Sequence, residues 1–291
     1  MENKRILVIG GSGYIGQSIV SLLSKSGYDV TVLSRNSRSN NNKTINNKTI
    51  EGINHIRGNV LDKNFLMKNI KNFDVILYLA AVIRTLRKSR YSENVIGLKN
   101  TLQIMNQNKI NKILYFSTQN VHLKEKGYYS SSKKECEEIL ISSNLDYVII
   151  RPNYVYSVDK NNDFYKLYRI IKMIRLCPII SDGKTKFKPV NREDIAKITL
   201  GCLNNWKSRM IFDVSGKTTM SIKEFTDFVR DKKHIRFLKI YTPIFLLRLF
   251  KRFVPFDVDG YMEDRIFLDT KNNILGESDF KEDLIKIINL T

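Results

Sequence analysis

Three tyrosines in this sequence are followed four residues later by a lysine, a combination of side chains that can move a proton. On a helix this spacing brings both side chains to one face. A nearby ammonium favours the phenolate and lowers the tyrosine pKa, so that the phenol can exchange a proton with a carbinol. The spacing does not choose among the three pairs, which are Tyr129/Lys133, Tyr156/Lys160 and Tyr168/Lys172.

The elements around these pairs follow a regular pattern in the first half of the chain, where short apolar runs alternate with longer amphipathic segments. The apolar runs predict strands at 6–9, 30–33, 53–57, 75–79, 113–116 and 147–150. The amphipathic segments predict helices at 14–26, 62–70, 91–108 and 129–142. Runs that are apolar throughout indicate strands covered on both faces, and their alternation with helices predicts an α/β fold with a doubly wound parallel sheet.

This topology favours one of the three pairs. Tyr129 and Lys133 follow the fifth predicted strand and so lie at the carboxyl edge of the sheet, where ligands bind in such folds. The pairs at Tyr156 and Tyr168 fall in the second half of the chain, and we interpret them as surface pairs.

The second half predicts a smaller α+β unit. Helices are expected at 164–176 and 193–203, strands at 186–190 and 211–214, and a capping box, Ser221 to Glu224, opens a further helix. We expect residues 1–155, completed by about 186–215, to form a nucleotide-binding domain. Residues 156–185 and 216–291 would form a C-terminal lid over the carboxyl edge. The polar, repetitive stretch 36–52 predicts a flexible surface loop.

A glycine-rich turn lies between the first strand and the first helix. Gly10, Gly13 and Gly16 let the backbone turn sharply, approach a pyrophosphate and pack the helix against the sheet. The helix N-terminus offers N–H groups and the positive end of its dipole to phosphates. The turn therefore predicts a dinucleotide site built from Gly10, Ser12, Gly13, Tyr14, Ile15 and Gly16.

The end of the second strand bears on which dinucleotide binds. NAD enzymes place an acidic residue there to accept a hydrogen bond from the ribose 2′-hydroxyl, whereas an arginine accommodates a 2′-phosphate. The segment from Val32 to Asn36 contains Arg35 and no acid. This favours NADP(H) over NAD(H), because Arg35 would pair with the phosphate. The alternative is that Arg35 is a solvated loop charge.

Taken together, these residues resemble the extended or atypical short-chain dehydrogenases/reductases of the NAD-dependent epimerase/dehydratase kind. The resemblance covers about the whole chain. Besides the glycine turn, it rests on the segments 74–81, 116–121, 129–133, 151–156 and 189–196. It implies a Rossmann fold and hydride transfer between a substrate carbon and a nicotinamide.

The resemblance also implies roles for individual residues. Thr118 would hydrogen-bond the substrate oxygen while Tyr129 transfers the proton, and Lys133 would hold the nicotinamide ribose and tune Tyr129. Asn59 stands where an Asp near the adenine is common. The remaining positions that would contact the cofactor are Val60, Leu79, Ala80, Ala81, Pro152 and Val155.

At several positions this chain differs from the residues that are usual in the family, and these differences indicate which branch of the family it resembles. His122-Leu123 replaces the usual Tyr-Gly, and Thr118 and Tyr129 are close in sequence compared with nucleotide-sugar epimerases. With the segment 182–190, these features look more like the atypical branch related to the NADPH-binding accessory subunit of respiratory complex I.

Dehydratases of the family carry Asp-Glu after the catalytic hydroxyl residue, whereas this chain has the amides Gln119 and Asn120, which argues against dehydration.

Composition limits the partners. The chain has 49 Lys+Arg and 29 Asp+Glu, a net charge of +20, which either fits an anionic partner or reflects codon bias. No basic-aromatic module accompanies the charge, so we expect no nucleic acid as a partner.

The three cysteines are scattered along the chain and predict neither disulfides nor a metal site; they are Cys136, Cys177 and Cys202. Lacking a signal peptide and a long apolar run, the chain is predicted to be cytoplasmic.

A last segment leaves two interpretations open. Thr242-Pro243 opens a predicted helix with apolar residues on one face and Arg248, Lys251 and Arg252 on the other. It could lie on an anionic membrane, near a lipid-linked substrate, or it could be a lid helix packed on the core, which we favour. The isolated histidines are expected to be structural or superficial; they are His55, His122 and His234.

These features predict an NADP(H)-linked epimerase or oxidoreductase acting on a sugar, in particular a nucleotide sugar. The alternative from another class is a non-catalytic NADPH-binding scaffold or assembly protein. An intact Thr118, Tyr129 and Lys133 set favours the enzyme, because a scaffold needs no proton donor. A homodimer is compatible with the sequence.

Overall fold

The computed structural model describes residues 4–35, 53–245, 263–267 and 272–290, together with the backbone of 44–45 and 48–49. Its centre is an eight-stranded sheet in which every pairing is parallel. The strands are β1 (Arg5–Ile9), β2 (Asp29–Ser34), β3 (Asn54–Arg57), β4 (Val75–Tyr78), β5 (Lys112–Phe116), β6 (Asp146–Pro152), β7 (Met210–Ser215) and β8 (Asn273–Leu275).

The order of these strands across the sheet is β3, β2, β1, β4, β5, β6, β7, β8. The chain thus starts in the middle, builds outward to β3, returns past β1 to β4 and then builds outward on the other side. The loops after β1 and β4 leave the carboxyl edge in opposite directions, and such a switch point is where ligands bind in open α/β sheets. The predicted α/β doubly wound fold is confirmed.

Helices cover both faces of the sheet, as the continuous apolar strands require. In β1 the residues from Ile6 to Ile9 are fully buried, and in β4 the residues from Val75 to Tyr78 are nearly so. The helices are α1 (Gly16–Lys25), α2 (Lys63–Asn69), α3 (Ser92–Gln107), α4 (Tyr128–Ile141), α5 (Asp163–Ile174), α6 (Arg192–Asn204), α7 (Ile222–Lys233) and α8 (Phe280–Ile288). One face packs on α2, α3 and α4, and the other on α1 and α6.

The C-terminal unit has its own core, built largely from aromatic rings. Phe164 of α5 packs against the rings of Tyr154, Phe187, Phe225 and Phe280, with centroids 4.8 to 5.9 Å apart. Short strand pairs surround this core: 155–156 with 190–191, 176–180 with 238–242, and 186–187 with 220–221. The predicted capping box is confirmed, because Ser221 and Glu224 exchange both hydrogen bonds at the start of α7.

Two expectations about the second half were wrong. Tyr156 and Tyr168 are not surface residues: both are buried, and the Tyr156 hydroxyl donates to Asp283 at 2.8 Å. They fill the lid core because their rings contribute apolar area that a small unit needs. Residues 216–291 also do not lie wholly in the lid, since 273–275 form β8 beside β7 of the main sheet. Three residues with no distinctive pattern could not signal that pairing.

Two predicted segments lie outside the described residues. Of the predicted loop at 36–52, the structure describes only the backbone of 44–45 and 48–49, which pair as an antiparallel hairpin. The predicted amphipathic helix after Thr242 falls mainly in the range 246–262. Within the described parts, no helix combines the length and the apolar character needed to cross a bilayer, and no cluster of His, Cys, Asp or Glu side chains could hold a metal ion.

Candidate active site

A large cleft of about 850 Å³ opens at the carboxyl edge of the sheet, over the switch point between β1 and β4. Every residue for which the sequence predicted a cofactor or catalytic role lines it. These are Gly10, Ser12, Gly13, Tyr14, Ile15, Gly16, Arg35, Asn59, Val60, Leu79, Ala80, Ala81, Thr118, Tyr129, Lys133, Pro152 and Val155. Tertiary structure therefore brings together residues that are far apart in the sequence.

The glycine turn forms the floor of the cleft and is too tightly packed for side chains. Gly10 has a φ of +85°, and a Cβ there would lie 2.8 Å from the backbone N of Ala80 at the end of β4. At Gly16 a Cβ would lie 2.7 Å from the Gly10 carbonyl. The absence of side chains lets the turn, α1 and the loop after β4 pack against one another.

The start of α1 fits a phosphate group. Its N-cap residue is Ile15, whose side chain cannot cap, and the first turn contains no acidic residue. Backbone N–H groups at a helix start need acceptors, and the helix dipole favours a negative one. Because Ser12, Gly13 and Ile15 line the cleft, a pyrophosphate placed there would meet these groups.

Tyr14 ties the glycine turn to the second half of the chain. Its hydroxyl forms a 2.6 Å hydrogen bond with Ser157, and the Arg192 guanidinium lies 5.0 Å from its ring centroid. Arg192 also pairs with Asp159 at 3.2 Å. Burial raises the pKa of Tyr14 to about 12, so the phenol stays neutral at physiological pH. Its hydrogen bond with Ser157 connects the glycine turn to the second half of the chain.

The opposite end of the cleft holds the residues expected near the adenosine. Arg35, directly after β2, is exposed and lines the cleft, as does Asn59 after β3. The Asn59 side-chain oxygen accepts from the Leu61 N–H at 3.1 Å, which fixes the amide within its own loop. Glu93 at the start of α3 is near enough to Arg35 for the guanidinium to contribute, after the larger effect of Arg90, to a lowered Glu93 pKa.

Lys133 is one of the most buried lysines of the described chain, with 2% of its surface exposed. Its ammonium donates to the Phe116 carbonyl at the end of β5 and lies 4.1 Å from the centroid of the Tyr115 ring. Burial lowers the pKa of Lys133 to about 8, although neighbouring Cys136 and Glu137 oppose the shift. These contacts hold the ammonium at the bottom of the cleft, at the carboxyl end of β5.

Tyr129 lies one helical turn before Lys133 at the start of α4. Its ring centroid is 6.5 Å from that of Tyr91, whose hydroxyl donates to the Ile83 carbonyl. Burial, with smaller contributions from Tyr91 and Cys136, raises the pKa of Tyr129. The expectation that Lys133 lowers this pKa was therefore wrong, because desolvation raises the pKa and the Lys133 ammonium donates to the Phe116 carbonyl.

Thr118 lies between β5 and the short 3-10 helix 119–122, in an extended conformation. Its side-chain oxygen accepts from the Asn120 N–H at 3.2 Å, which orients the hydroxyl. Gln119, next in the chain, is buried and turned away from the cleft: its amide bonds with Ser215 at 2.9 Å and with Asn153 at 2.6 Å. Only Asn120 of the two amides lines the cleft.

Sequence reasoning missed Asn94, a buried residue of α3 that lines the cleft. Its amide exchanges hydrogen bonds with both backbone groups of Val82, at 2.6 and 3.2 Å, and donates to Ser132 at 2.9 Å. Asn94 thereby fixes the loop after β4 against α4, the helix of Tyr129 and Lys133. Its only signal was an amide inside an amphipathic helix, which is also common on helix surfaces.

A buried ionic network behind the cleft was also missed. Glu137, fully buried one turn after Lys133, accepts two hydrogen bonds from Arg151 at 2.9 and 2.6 Å. Arg151 lies 3.8 Å from Asp213 of β7, which bonds with His122 at 3.0 Å. The network holds α4, β6 and β7 together, and it gives His122 the structural role that was expected of it.

The remaining wall of the cleft carries three cations. Arg84, in the loop after β4, pairs with Asp163 at 3.2 Å, and Lys166 pairs with the same carboxylate at 3.2 Å. The Arg84, Lys166 and Arg265 side chains all line the cleft. This wall therefore offers positive charge at the end of the cleft formed by the C-terminal unit.

The fold and the cleft define a Rossmann-type α/β protein, and comparison with known proteins gives its family. The model of the NAD-dependent epimerase/dehydratase family matches residues 6–213. The chain is 31% identical to a putative UDP-glucose 4-epimerase of Methanocaldococcus jannaschii, over 98% of this chain and 97% of the relative. The chain belongs to the NAD-dependent epimerase/dehydratase family. The finer assignment to the atypical branch related to the complex I subunit stays a prediction.

Solved structures share the fold. UDP-glucose 4-epimerase of Thermus thermophilus in complex with NAD matches with a TM-score of 0.71 at 19% identity, over 98% of this chain and 97% of that one. DesIV, a dTDP-glucose 4,6-dehydratase of Streptomyces venezuelae, matches with a TM-score of 0.75 at 17% identity, over 98% and 95%. Because an epimerase and a dehydratase both match, the fold alone does not choose between these reactions.

Proposed function

We propose that this protein is an NADP(H)-linked oxidoreductase or epimerase that acts by hydride transfer on a sugar, in particular a nucleotide sugar. The observation that carries the proposal is the continuous cleft that joins the glycine turn to Thr118, Tyr129 and Lys133. The M. jannaschii relative, a putative UDP-glucose 4-epimerase, supports the substrate class. Arg84, Lys166 and Arg265 supply the charge that a diphosphate would meet.

The chain's own residues divide the chemical work. The nicotinamide, when bound, exchanges a hydride with the substrate carbon. Thr118 would donate a hydrogen bond to the substrate oxygen, and the Tyr129 hydroxyl would give a proton to that oxygen or remove one from it. The Lys133 ammonium, held at the Phe116 carbonyl, would bind the ribose hydroxyls. The glycine turn and the start of α1 would bind the pyrophosphate.

The protonated phenol of Tyr129 is compatible with a role as proton donor in a reduction. With its pKa raised by burial, the phenol is protonated at neutral pH. A protonated phenol is the form that donates to a carbonyl oxygen as hydride arrives at the carbon. NADPH, the cofactor that Arg35 favours, would supply hydride in the same direction.

Dehydration is the less favoured reaction on the residues present. Removal of water needs an acid and a base beside the substrate. Gln119 is buried in hydrogen bonds with Ser215 and Asn153, away from the cleft, and Asn120 presents an amide that does not titrate at neutral pH. Dehydratases among the structural neighbours share the fold. The fold therefore does not disfavour dehydration, and only the side chains of Gln119 and Asn120 do.

The direct test is turnover of sugar nucleotides, UDP-glucose first, by the purified protein with NADPH or NADP+. Tyr129→Phe is expected to lower turnover by about 10²- to 10⁴-fold while NADPH still binds, because only the transferable proton is lost. Tyr128→Phe is the matched control: Tyr128 is the adjacent residue of the same helix, is 60% exposed and does not line the cleft. If NADPH binds but no substrate turns over and Tyr129→Phe changes nothing, the protein is a non-catalytic NADPH-binding scaffold.

Cofactor preference has its own test. Arg35→Ala is expected to weaken NADPH binding by about tenfold or more, the effect of losing a charge-assisted pair, and to change NADH binding little. Arg57→Ala is the control, since Arg57 ends β3 beside β2, is exposed and does not line the cleft. Fluorescence titration with both dinucleotides measures the effect. Equal losses for NADPH and NADH would contradict the role of Arg35 in selecting the 2′-phosphate.

A further inference from the structure

The C-terminal unit exposes several large apolar side chains on adjoining elements. They lie at the end of α5 and on the strand pair 176–180 and 238–242. We call the surface formed by six of them the outer lid face; its residues are Ile170, Met173, Ile174, Pro178, Leu238 and Ile240. Met173 is 69% exposed and Leu238 63%. Scattered single apolar residues are ordinary on a surface, but a group on adjoining elements marks an interaction site.

The strand register puts the ribbon part of this surface on one side. Leu176 pairs with Leu238 and Pro178 with Ile240 in a parallel ladder, so these side chains point to the same face. The alternating residues Cys177 and Ile179 are buried in the lid core. On the neighbouring strand, the inward face carries Lys239, whose ammonium pairs with Asp227 at 2.6 Å. The outward face is therefore the more uniformly apolar of the two.

The end of α5 continues the same surface. Its inward positions, Tyr168 and Ile171, fill the lid core, while Ile170, Met173 and Ile174 remain exposed. The Leu238 N–H donates to the Arg175 carbonyl at 2.9 Å, so the last turn of the helix directly adjoins the ribbon. Helix and ribbon cover one core from neighbouring sides and expose apolar residues where they meet.

Charge is segregated in the two stretches of chain that form this surface. Residues 164–181 contain four lysines or arginines and no acidic residue, and residues 232–245 likewise contain four and none. The cations nearest to the outer lid face are exposed: Arg169, Lys172, Arg175 and Arg236. Acidic residues border the two stretches at Asp163, Asp182 and Asp231, and two of the eight cations are paired, Lys166 with Asp163 and Lys239 with Asp227. The four exposed cations form no ion pair among the described residues, so they supply the positive charge of this surface.

We propose that the outer lid face docks on a lipid bilayer containing anionic phospholipids. Aliphatic side chains ringed by lysine and arginine match such a surface, because the chains enter the headgroup boundary while the cations meet lipid phosphates. A second copy of the chain fits poorly, since two faces of high positive charge repel each other. Nucleic acid fits poorly too, because its phosphate backbone offers nothing to exposed aliphatic groups. Docking here would be independent of the cofactor cleft.

The experiment is sedimentation of the full-length protein with vesicles of phosphatidylcholine alone or of phosphatidylcholine mixed with phosphatidylserine. The protein is expected to sediment mainly with the anionic vesicles, and high salt should weaken but not abolish that binding. The double variant Lys172→Glu/Met173→Glu should lower the partition coefficient by about tenfold or more, since a single cation near an anionic surface contributes roughly fivefold.

The matched control is Lys68→Glu/Met67→Glu, which makes the same two substitutions on α2 in the nucleotide half. Met67 is 43% exposed and Lys68 is exposed. Both double variants change the net charge equally, so the control is expected to bind vesicles like the unmodified chain. Thermal unfolding and NADPH titration of both variants report folding and the cleft separately.

Two results would overturn the proposal. If the protein stays in the supernatant with both vesicle types, the outer lid face is covered in solution by another part of the chain or by a second copy, and size-exclusion chromatography distinguishes these. If both double variants lose vesicle binding equally, the attraction comes from the overall charge of +20 and not from this surface.

Discussion

The same Tyr/Lys spacing occurs in two different surroundings. One is the half of the chain that contains the central sheet, called here the nucleotide half, and the other is the C-terminal unit, called here the lid half. Tyr129 and Lys133 lie on α4 with both side chains in the cleft, and the lysine is buried against the Phe116 carbonyl. Tyr156, which has the same spacing to Lys160, instead lies in a short strand and bonds with Asp283 inside the lid core. The same spacing thus places one tyrosine in a cleft and the other in a packed core.

The two halves also differ in how their cores form. The core around the sheet is built from strands, and most of these strands contain a continuous apolar run in the sequence. Each run can therefore be recognised by itself, before its pairing with other strands is known. The lid core joins rings from 154 to 280, so its packing depends on contacts between distant segments. The nucleotide half was accordingly easier to predict than the lid.

The largest expected effect tests the tight packing of the nucleotide half. Gly10→Ala should destabilise the protein by about 2–4 kcal/mol, because the positive φ disfavours a side chain and the new Cβ would meet the backbone of Ala80. It should also weaken NADPH binding by about tenfold or more, since the turn that would bind the pyrophosphate must shift. Urea unfolding and fluorescence titration measure the two effects.

Gly201→Ala is the matched control for that substitution. Gly201 lies within α6, and a Cβ there would meet no heavy atom within 4 Å. It should stabilise the protein by about 0.5–1 kcal/mol through helix propensity and leave NADPH binding unchanged. A Gly10→Ala variant as stable as the unmodified chain would contradict the packing seen at the turn.

A smaller effect tests the lid half. Tyr156→Phe should lower the free energy of unfolding by about 1–2 kcal/mol, because buried Asp283 loses one hydrogen-bond donor and keeps Asn191 and Lys286. Tyr168→Phe should change it by less than about 0.5 kcal/mol, since no hydrogen bond of its hydroxyl is seen within the described residues. NADPH affinity should be unchanged in both. A drop in NADPH affinity with Tyr156→Phe would show that the two halves are coupled.

The smallest effect concerns the charge of Lys133. Its pKa is lowered to about 8, so the ammonium is present below that pH and is lost as the pH rises through it. If only the ammonium form binds the ribose, NADPH affinity should fall by up to about tenfold between pH 7 and pH 9. Titrations across this range measure it.

Lys134→Met is the control for this pH dependence, because the Lys134 side chain is 40% exposed on the same helix and pairs only with Glu138, at 3.8 Å, among the described residues. It should leave the pH profile unchanged, whereas Lys133→Met should weaken binding at pH 7 and flatten the profile. A flat profile in the unmodified chain would mean that the ammonium does not contribute to binding.

The sequence alone determined the α/β class, the positions of the sheet strands through β7, the glycine turn and the location of Tyr129 at the carboxyl edge of the sheet. Each of these depends on local information: a short apolar run, a glycine at a forced turn, or the place of a motif after a strand. The cleft residues could be named in advance because they end strands or begin helices, and parallel strands bring their carboxyl ends to one edge.

Tertiary structure alone decided the rest. It placed β8 beside β7, buried Tyr156 and Tyr168, and joined Glu137 to Arg151 and Asn94 to the loop after β4. It also reversed the expected direction of the Tyr129 pKa, because desolvation depends on everything packed around the phenol and not on its helical neighbour. Such properties arise from contacts between segments that are far apart in the sequence and meet only in the folded chain.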